Sequence, residues 1–524
     1  MQPSCWEFGR RDALRIAVAG AAAAALPAQA QAARFKRWEI TDPNMPPRVL
    51  DSYKKGIRAM LRLPPADPRN WYRNAFVHIF DCPHGNWWFL PWHRAYLGWF
   101  EQTIRSLSGD AEFALPYWDW TKTPRIPAAM FDDVLDPNNP AFIGTFAAFR
   151  TAFRTPVNTL WGSFSPAQRS ALSPRRLTGP ASFFQQTQSM FFARPNARGL
   201  TRSNPDLDPL TRTAVSGATV RAALQDPAFA NAAGSTAGAG FASAKAASHS
   251  APSDKGTLES QPHDNVHGAI GGSGGAAFMV SFLSPVDPIF YLHHGNLDRL
   301  WTVWTRRQQA RNRPVLPQGA DLAAWSNEKF LFFSGSTGAP VTQVNAGDYA
   351  TTGLFDYEYS PGFGEDLVTP PSALVASVEP GRGFDVRLAA RRPAATSGGP
   401  ASGGVADVPA ASLQLQPEAR PATAQVTLEL KPEDEGKRFR VLMSRAGSAA
   451  VEAGGITVFG NHSHGPTTFT VPLPDSIAAG DASGPPVPLD IRVVPVTPAG
   501  ARQGPALAAA RLPVPLLGIR VLGR

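Results

Sequence analysis

The placement of the histidines limits what this 524-residue chain can fold into more than any other feature of its sequence. Three of its ten histidines lie between residues 78 and 93, the first histidine cluster, and four lie between residues 263 and 294, the second histidine cluster. Imidazoles grouped on two separate segments predict a core in which helices bring metal ligands together. A lone histidine on an apolar face, by contrast, is usually a hydrogen-bonded core residue.

In the second histidine cluster, His263 and His267 are four residues apart, which puts both imidazoles on one face of a helix. His294 follows the pair Asp287-Pro288, which is typical of a helix start. Three imidazoles from two helices can bind one metal ion in the core of a bundle. His293 points about 100° away from His294 on a helix, so we expect only one of the adjacent pair to be a ligand.

Two further residues on that predicted helix are expected to support His294. Asp298 lies four residues after His294 and can orient its ring by a hydrogen bond on the side away from the metal. Phe290 lies four residues before it and can pack against the same ring.

In the first histidine cluster, Pro91 is well placed to begin the helix that carries His93. His84 lies nine residues earlier, which is half a turn out of phase on a continuous helix, so a loop must carry it. His78 is the only histidine upstream of His84, and it is therefore the third ligand by exclusion. Six imidazoles suit copper better than calcium or magnesium, but zinc also accepts three histidines, so the spacing alone predicts only a metal.

The first 32 residues resemble an export signal. Arg10 and Arg11 precede an apolar run, and the sequence at residues 28–32 fits cleavage after a small residue, so we expect a twin-arginine signal and a periplasmic or secreted location in a bacterium. The alternative is an Ala-rich amphipathic helix. Cleavage would remove Cys5 and leave Cys82 as the remaining cysteine, which excludes an intramolecular disulfide.

The rest of the chain predicts a multidomain α + β protein. Residues 33–372 are expected to form a mainly helical domain with a four-helix-bundle core, interrupted by a mobile surface insertion at residues 231–255, which are small and polar. Residues 373–421 are expected to be a linker and a first strand region. Residues 422–524 show short alternating runs, which predict a small antiparallel β-sandwich.

Composition argues against two classes of partner. The net charge is +9, but no run of Lys or Arg is interleaved with aromatic residues, so binding to nucleic acid is not expected. No long apolar stretch follows residue 40, so no membrane span is expected in the mature chain.

Long motifs around the histidines resemble those of the tyrosinase family, which includes catechol oxidases and molluscan hemocyanins. The segment from His84 to Arg94 is similar to the copper A signature of that family, and the segments 256–267 and 287–301 are similar to its copper B signature. The resemblance implies two copper ions with dioxygen as co-substrate. It assigns copper A to His78, His84 and His93, and copper B to His263, His267 and His294.

The resemblance carries three further implications. Cys82, two residues before His84, matches a Cys-x-His in which the sulfur is bonded to the histidine ring as a thioether. Tyr357-Glu358-Tyr359 looks like the motif that closes the plant catalytic domain. The β region is similar to the C-terminal domain that covers the copper site in plant enzymes, and His462 and His464 are interpreted as loop residues of that cover.

Three residues bear on the reaction that the resemblance implies. Glu259 stands where plant enzymes place a glutamate that holds a water near the coppers, and such a carboxylate can help deprotonate a phenol. Asp264 stands where many tyrosinases carry Asn, and it can serve as a base or misplace that water. Ser281 replaces the Phe that often gates plant enzymes, which predicts a wider pocket.

The function expected from the resemblance is a tyrosinase that converts small phenols to o-diphenols and o-quinones. The main alternative is a catechol oxidase that acts only on diphenols. Two more distant alternatives are an oxygen carrier like hemocyanin and a zinc hydrolase. A copper-delivery partner that loads the metal before export is a further expectation. The sequence does not indicate an oligomeric state.

Overall fold

Helices dominate the chain up to residue 368, and they carry both histidine clusters. A computed structural model describes residues 33–272, 277–368, 383–386, 411–414, 421–445, 448–460, 465–478, 488–496 and 514–523. Contacts divide the chain into Met1–Arg34 and Phe35–Arg524. The predicted signal at residues 1–32, most of the predicted linker, and His462 and His464 lie outside the described residues.

The helical region is built around two long buried helices. Its helices are α1 (Arg48–Arg62), α2 (Trp71–Asp81), α3 (Phe89–Ser108), α4 (Phe146–Ser163), α5 (Pro166–Leu172), α6 (Pro180–Met190), α7 (Pro209–Ala214), α8 (Gly217–Leu224), α9 (Asp264–Ile270), α10 (Ile289–Gln309) and α11 (Ala320–Asn327). Helix α10 is buried on every face from Ile289 to Trp301, as a helix in the middle of a core must be. Among the described residues, no helix has the length and apolar character that a membrane span requires.

Local signals explain where the helices with the first histidine cluster begin and end. At the start of α2, the Asn70 side chain accepts hydrogen bonds from the backbone N–H groups of Tyr72 and Arg73. Helix α3 ends at Gly109, whose φ of 73° lies in the left-handed region that glycine tolerates best. The two helices therefore have definite ends, and the loop between them carries His84.

A short parallel pair of strands closes the helical region. Strand β1 (Phe35–Arg37) pairs with β2 (Tyr357–Tyr359), so the first and last described parts of this region meet. Arg37 lies in this closure fully buried, and its Nε donates to Glu101 at 2.8 Å. The Tyr-x-Tyr motif is therefore a strand that ties the two ends of the helical region together.

The C-terminal region is antiparallel. Its strands are β3 (Gly383–Val386), β4 (Ala411–Gln414), β5 (Pro421–Leu430), β6 (Arg438–Arg445), β7 (Val451–Thr457), β8 (Gly465–Pro472), β9 (Pro488–Pro495) and β10 (Leu516–Gly523), with a short helix α12 (Asp475–Ala478) after β8. One sheet has the order β3-β10-β5-β8 and the other β4-β9-β6-β7. Side chains from both sheets form one hydrophobic cluster. A helix-rich region followed by an antiparallel β region is confirmed, whereas the four-helix bundle and the β-sandwich stay predictions.

The segment at residues 231–255, predicted to be a mobile surface insertion, is buried in part, at residues 238–244. Phe241 stacks on Trp304 of α10, with ring centroids 4.8 Å apart. The small residues that suggested mobility instead allow close packing. A Cβ on Gly240 would lie 2.6 Å from the Cα of Ala230, so two backbone segments meet where a larger residue could not fit.

Candidate metal centre

The six histidines predicted as ligands converge at one buried place in the helical region. His78 lies in the last turn of α2, His93 in the first turns of α3, and His84 in the loop between them. His263 ends a π-helical turn, Glu259–His263, that leads into α9. The other two ligands lie on helices, His267 on α9 and His294 on α10. All six are buried.

The three rings of the first histidine cluster lie close together. The ring centroids of His78, His84 and His93 lie 5.4–5.8 Å apart. His78 Nδ1 donates to Phe282 O at 2.9 Å, and His93 Nδ1 donates to Phe89 O at 2.8 Å. Because a carbonyl can only accept, each Nδ1 carries the hydrogen and each Nε2 keeps a lone pair. These two Nε2 atoms are buried and have no partner among the described residues.

The second three rings repeat this arrangement. The centroids of His263, His267 and His294 lie 4.6–5.5 Å apart. His263 Nδ1 bonds to Asp264 Oδ1 at 2.8 Å, and His267 Nδ1 donates to Met279 O at 2.5 Å. The Nε2 atoms of His267 and His294 face each other at 3.3 Å, as two ligands aimed at one ion do.

The two triplets are neighbours, and burial favours the neutral form of five of their six rings. His93 stacks on His294 with centroids 4.2 Å apart and planes 9° from parallel. Burial lowers the pKa of His93 to about 3 and holds the pKa values of His78, His263, His267 and His294 well below 6.5. Neutral imidazoles with unmet Nε2 lone pairs are the protonation state that binds transition metals.

His293 belongs to this neighbourhood, although helical spacing predicts only one ligand in the pair His293 and His294. Its ring stacks on His263 at 5.6 Å and lies 5.0 Å from His294. Burial lowers the pKa of His293 to about 3, which a hydrogen bond with the His263 backbone only partly opposes. His293 and His294 do diverge on α10, but the π-helical turn places His263 beside both rings. The sequence showed no signal for this turn except Pro262 inside it.

Cys82 ends α2 beside the first triplet. Its Sγ lies 3.5 Å from His84 Nδ1, and burial raises the pKa of the thiol. Arg175 donates to the Cys82 carbonyl at 2.9 Å. The predicted thioether partners are therefore adjacent.

The predicted role of Asp298 is wrong, whereas Phe290 lies where it was expected. Phe290 packs on His294 with centroids 4.2 Å apart. Asp298 makes no described contact with His294, because Arg94, Tyr357 and Tyr359 occupy its oxygens. Arg94 Nε donates to it at 2.6 Å. Asp298 therefore joins α10, α3 and strand β2.

Glu259 and Asp264 are both held by protein groups. Glu259 accepts hydrogen bonds at 2.6 Å from the Gly85 N–H and from the Ser243 hydroxyl. Burial raises its pKa, which Lys255 and these hydrogen bonds only partly oppose. Asp264 is bonded to His263 and to Lys255 Nζ, the latter at 2.7 Å. Both carboxylates therefore have both oxygens engaged by protein groups, and the Asp264 bond to Nδ1 orients the ring of His263.

Ser281 does not open the site as predicted. Its hydroxyl donates to Phe278 O at 3.0 Å and accepts from the Leu283 N–H at 3.1 Å, so it closes its own loop. The next residue, Phe282, lies 5.9 Å from both His78 and His84 between ring centroids. An aromatic side chain therefore borders the site after all, one position later than the spacing indicated.

The β region covers the site with Phe459, which follows β7. Its ring stacks on His267 with centroids 3.8 Å apart and lies 5.2 Å from His84 and 5.4 Å from His263. Gly460, with φ of +73°, comes so close that a Cβ there would lie 2.3 Å from His84 Cγ. Sequence reasoning predicted a cover but did not identify Phe459 as the residue that fills the site.

Comparison with known proteins agrees with this geometry. Residues 58–307 match the model of the common central domain of tyrosinase. A tyrosinase of Hahella sp. (strain CCB-MM4) is 30% identical over 302 residues, which are 57% of this chain and 51% of that protein. The (+)-larreatricin hydroxylase of Larrea tridentata is 28% identical over 284 residues, 49% of this chain and 39% of that one. This chain thus spans about half the length of the curated relatives it matches, or less.

Solved structures share the fold over more of the chain. A latent apple tyrosinase superposes with a TM-score of 0.55 at 17% identity, covering 94% of this chain and 97% of that one. A recombinant latent aurone synthase gives a TM-score of 0.55 at 18% identity, covering 94% and 90%. At these identities the likeness concerns the fold, and it extends through the β region.

Proposed function

Since its central domain places the chain in the tyrosinase and polyphenol oxidase family of type-3 copper proteins, we propose that it is a copper-dependent phenol oxidase. It uses dioxygen to convert small monophenols to o-diphenols and o-diphenols to o-quinones. The observation that carries the proposal is the pair of buried imidazole triplets, stacked on each other through His93 and His294 at 4.2 Å. Two metal ions held by these neighbouring triplets could act on one substrate together.

The residues present fit two copper ions. His78, His84 and His93 would hold one, and His263, His267 and His294 the other, within what we take to be a four-helix bundle. All six donors are imidazoles, which suit copper. The Asp264 carboxylate bonds to Nδ1 of His263, on the side of the ring away from the metal. When bound, two cuprous ions together supply the two electrons that dioxygen takes up.

The chain's own groups prepare this chemistry in two ways. The carbonyls of Phe89, Phe282 and Met279 fix His93, His78 and His267 so that Nε2 faces the centre. Phe282 and Phe290 line the histidines with apolar rings that exclude water. The protein thus supplies a dry, rigid site before any substrate arrives.

We propose Glu259 as the group that takes the proton of an incoming monophenol. One of its oxygens lies within 4.8 Å of a His263 ring nitrogen. Its raised pKa makes it a stronger base than an exposed carboxylate. This is the feature that favours a tyrosinase over a catechol oxidase restricted to diphenols. The rival oxygen-carrier function predicts no turnover of either substrate.

We further propose that the β region holds the protein in a latent state. Phe459 lies on His267, where the aromatic ring of a phenol would have to stack, so substrate cannot enter while the region is docked. Two other proposals rest on the sequence: the thioether between Cys82 and His84, and export by the twin-arginine route after copper loading.

The decisive test is copper content together with oxygen uptake on tyrosine and on catechol. We expect two coppers per chain and turnover of both substrates once the cover is displaced. His93→Ala should lose one copper and all activity, because one metal cannot supply both electrons. His249→Gln removes a buried histidine that bonds to Asp81 and Glu328 outside both triplets, so it should keep both coppers. Full activity in His93→Ala would refute the proposal.

A further inference from the structure

The β region also contacts the π-helical turn that carries His263, and it does so through strand β8. This strand lies at the edge of its sheet, so on one side its backbone polar groups have no partner strand. There the Thr468 carbonyl accepts from the Lys255 N–H at 2.9 Å. The Thr470 N–H donates to the Ser260 hydroxyl at 3.2 Å. The segment that leads into the turn therefore covers the open edge of β8.

Buried amide side chains add further contacts with both β7 and β8. Gln261 Nε2 donates to the Thr470 carbonyl of β8 at 3.0 Å and to the Gly455 carbonyl of β7 at 3.1 Å. Asn265, just after the turn, donates to the same Gly455 carbonyl at 3.2 Å. Its Oδ1 accepts from the Thr457 hydroxyl at 3.1 Å. The polar groups of the turn thus have their partners in the β region rather than in water.

Two consecutive glycines on β7 allow this close approach. A Cβ on Gly454 would lie 2.7 Å from Gln261 Oε1. A Cβ on Gly455 would lie 2.5 Å from Asn265 Oδ1. A carbon cannot come this close to an oxygen without a clash, so residues without a Cβ fit best at these positions. The strand is therefore shaped to receive the turn.

The turn itself lacks part of its internal hydrogen bonding. Pro262 lies inside it and has no N–H to donate. The Asn265 amide donates to the Gln261 carbonyl at 3.0 Å, so the side chain that binds β7 also ties the turn together. His263 is the last residue of the turn, and its ring can join the second triplet only while the turn keeps its shape. The position of this ligand therefore depends on β7 and β8.

We propose that docking of the β region and copper binding at the second triplet, to which His263 belongs, are coupled. Gln261 and Asn265 act as positioning residues, because they hold the turn ready for the metal while the β region is docked. By thermodynamic linkage, copper bound there stabilises the docked region by the factor by which docking tightens copper binding. This inference rests on the proposed copper centre. His78 and His93 are fixed by carbonyls of the helical region, so the first triplet should contribute less to the coupling.

The test is amide hydrogen exchange at Thr470 in the full chain, with and without copper. This N–H bonds to Ser260 across the interface, so it becomes free to exchange when the β region undocks. We expect copper to slow its exchange by about tenfold, a usual size for coupled sites. A chain that takes up copper with unchanged exchange at Thr470 would refute the coupling and leave the proposed function standing. A chain that takes up no copper would refute both.

Two ligand variants show which triplet is responsible, with the copper content measured for each. His78→Ala should lose the first copper and keep the effect of copper on exchange at Thr470. His263→Ala should lose the second copper and that effect with it. Slowing that persists in His263→Ala, or that is lost in His78→Ala retaining one copper, would overturn the assignment to the second triplet.

The hydrogen bond between Thr457 and Asn265 can also be removed alone. Thr457→Val keeps the shape of the side chain but leaves the Asn265 oxygen without this donor, so exchange at Thr470 should become about tenfold faster. The matched control is Thr427→Val, which removes a hydroxyl that bonds to Thr468 within the β region. It should change exchange at Thr470 much less. An equal effect of the two variants, or no effect of Thr457→Val, would refute the role of Asn265 in docking.

Discussion

Replacing Phe459 by Ala should turn the covered enzyme into an active one without proteolysis. Phe459 is 1% exposed, and its ring contacts histidines of the other region. Truncating a buried Phe costs about 3–5 kcal/mol. Because these contacts exist only while the β region is docked, the cost falls on the closed state. Taking about 3 kcal/mol and 1.4 kcal/mol for each factor of ten, the open fraction rises by about 100-fold.

The assay is oxygen uptake on catechol by the uncleaved chain at matched copper content. Activity should rise by up to about 100-fold, until the open state is fully populated. The control is Phe439→Ala, which truncates the same residue type in the core of the β region, on β6. The reasoning is refuted by unchanged activity in Phe459→Ala. An equal rise in Phe439→Ala would refute it too, since loss of the β fold would then be enough.

Three further predictions concern residues around the centre. Mass spectrometry of copper-loaded protein should find that the peptide with Cys82 and His84 is lighter by two hydrogens than its sequence mass and does not react with an alkylating reagent. An alkylated Cys82 in active enzyme would contradict the thioether. Glu259→Gln should lower monophenol turnover by about 10²–10⁴-fold and diphenol turnover much less. Asp264→Asn, in contrast, leaves the buried Lys255 ammonium without its carboxylate partner. It should therefore lower both activities together with the copper content. Burial alone would raise the pKa of Asp298, but two arginines and two phenols more than offset it, so the pKa is lowered. The stability from this shift is present above the unfolded pKa of about 3.9 and is lost as the pH falls through the lower folded pKa. Asp298→Asn should lower the free energy of unfolding by about 3–5 kcal/mol at neutral pH. Denaturant unfolding at a series of pH values should then show a smaller loss of stability on acidification than in the unmodified protein, and an unchanged loss would refute this.

The grouping of the histidines at the centre could be predicted because the signals for it are local. Four-residue spacing brought His263 and His267 to one face, and the mismatch of phase between His84 and His93 required the loop that the structure contains. His78 followed by exclusion and lies beside His84 at 5.5 Å. Periodicity describes neighbours along the chain, and it was enough to place these histidines on helices and a loop, although distant groups such as the Phe282 carbonyl fix their rings.

Side chains that depend on a distant partner could not be predicted in the same way. Asp298 was assigned to His294 one turn away, but it accepts from Arg37, 261 residues distant in sequence. The burial of Phe241, inside the predicted insertion at residues 231–255, likewise depends on Trp304, which low sequence complexity does not reveal. In both cases the local sequence suggested one environment for the side chain, and a residue distant in the sequence provides the actual contact.

The sequence by itself determined which segments bring their histidines together and the order of a helical region followed by a β region, because spacing and alternation encode both. Only the tertiary structure decided what lies over the centre. Lys255 donates to the Phe459 carbonyl across 204 residues, and the Phe459 ring stacks on His267. Such contacts arise where two separately folded surfaces meet, and no local pattern along the chain specifies which residue of one surface will face which residue of the other.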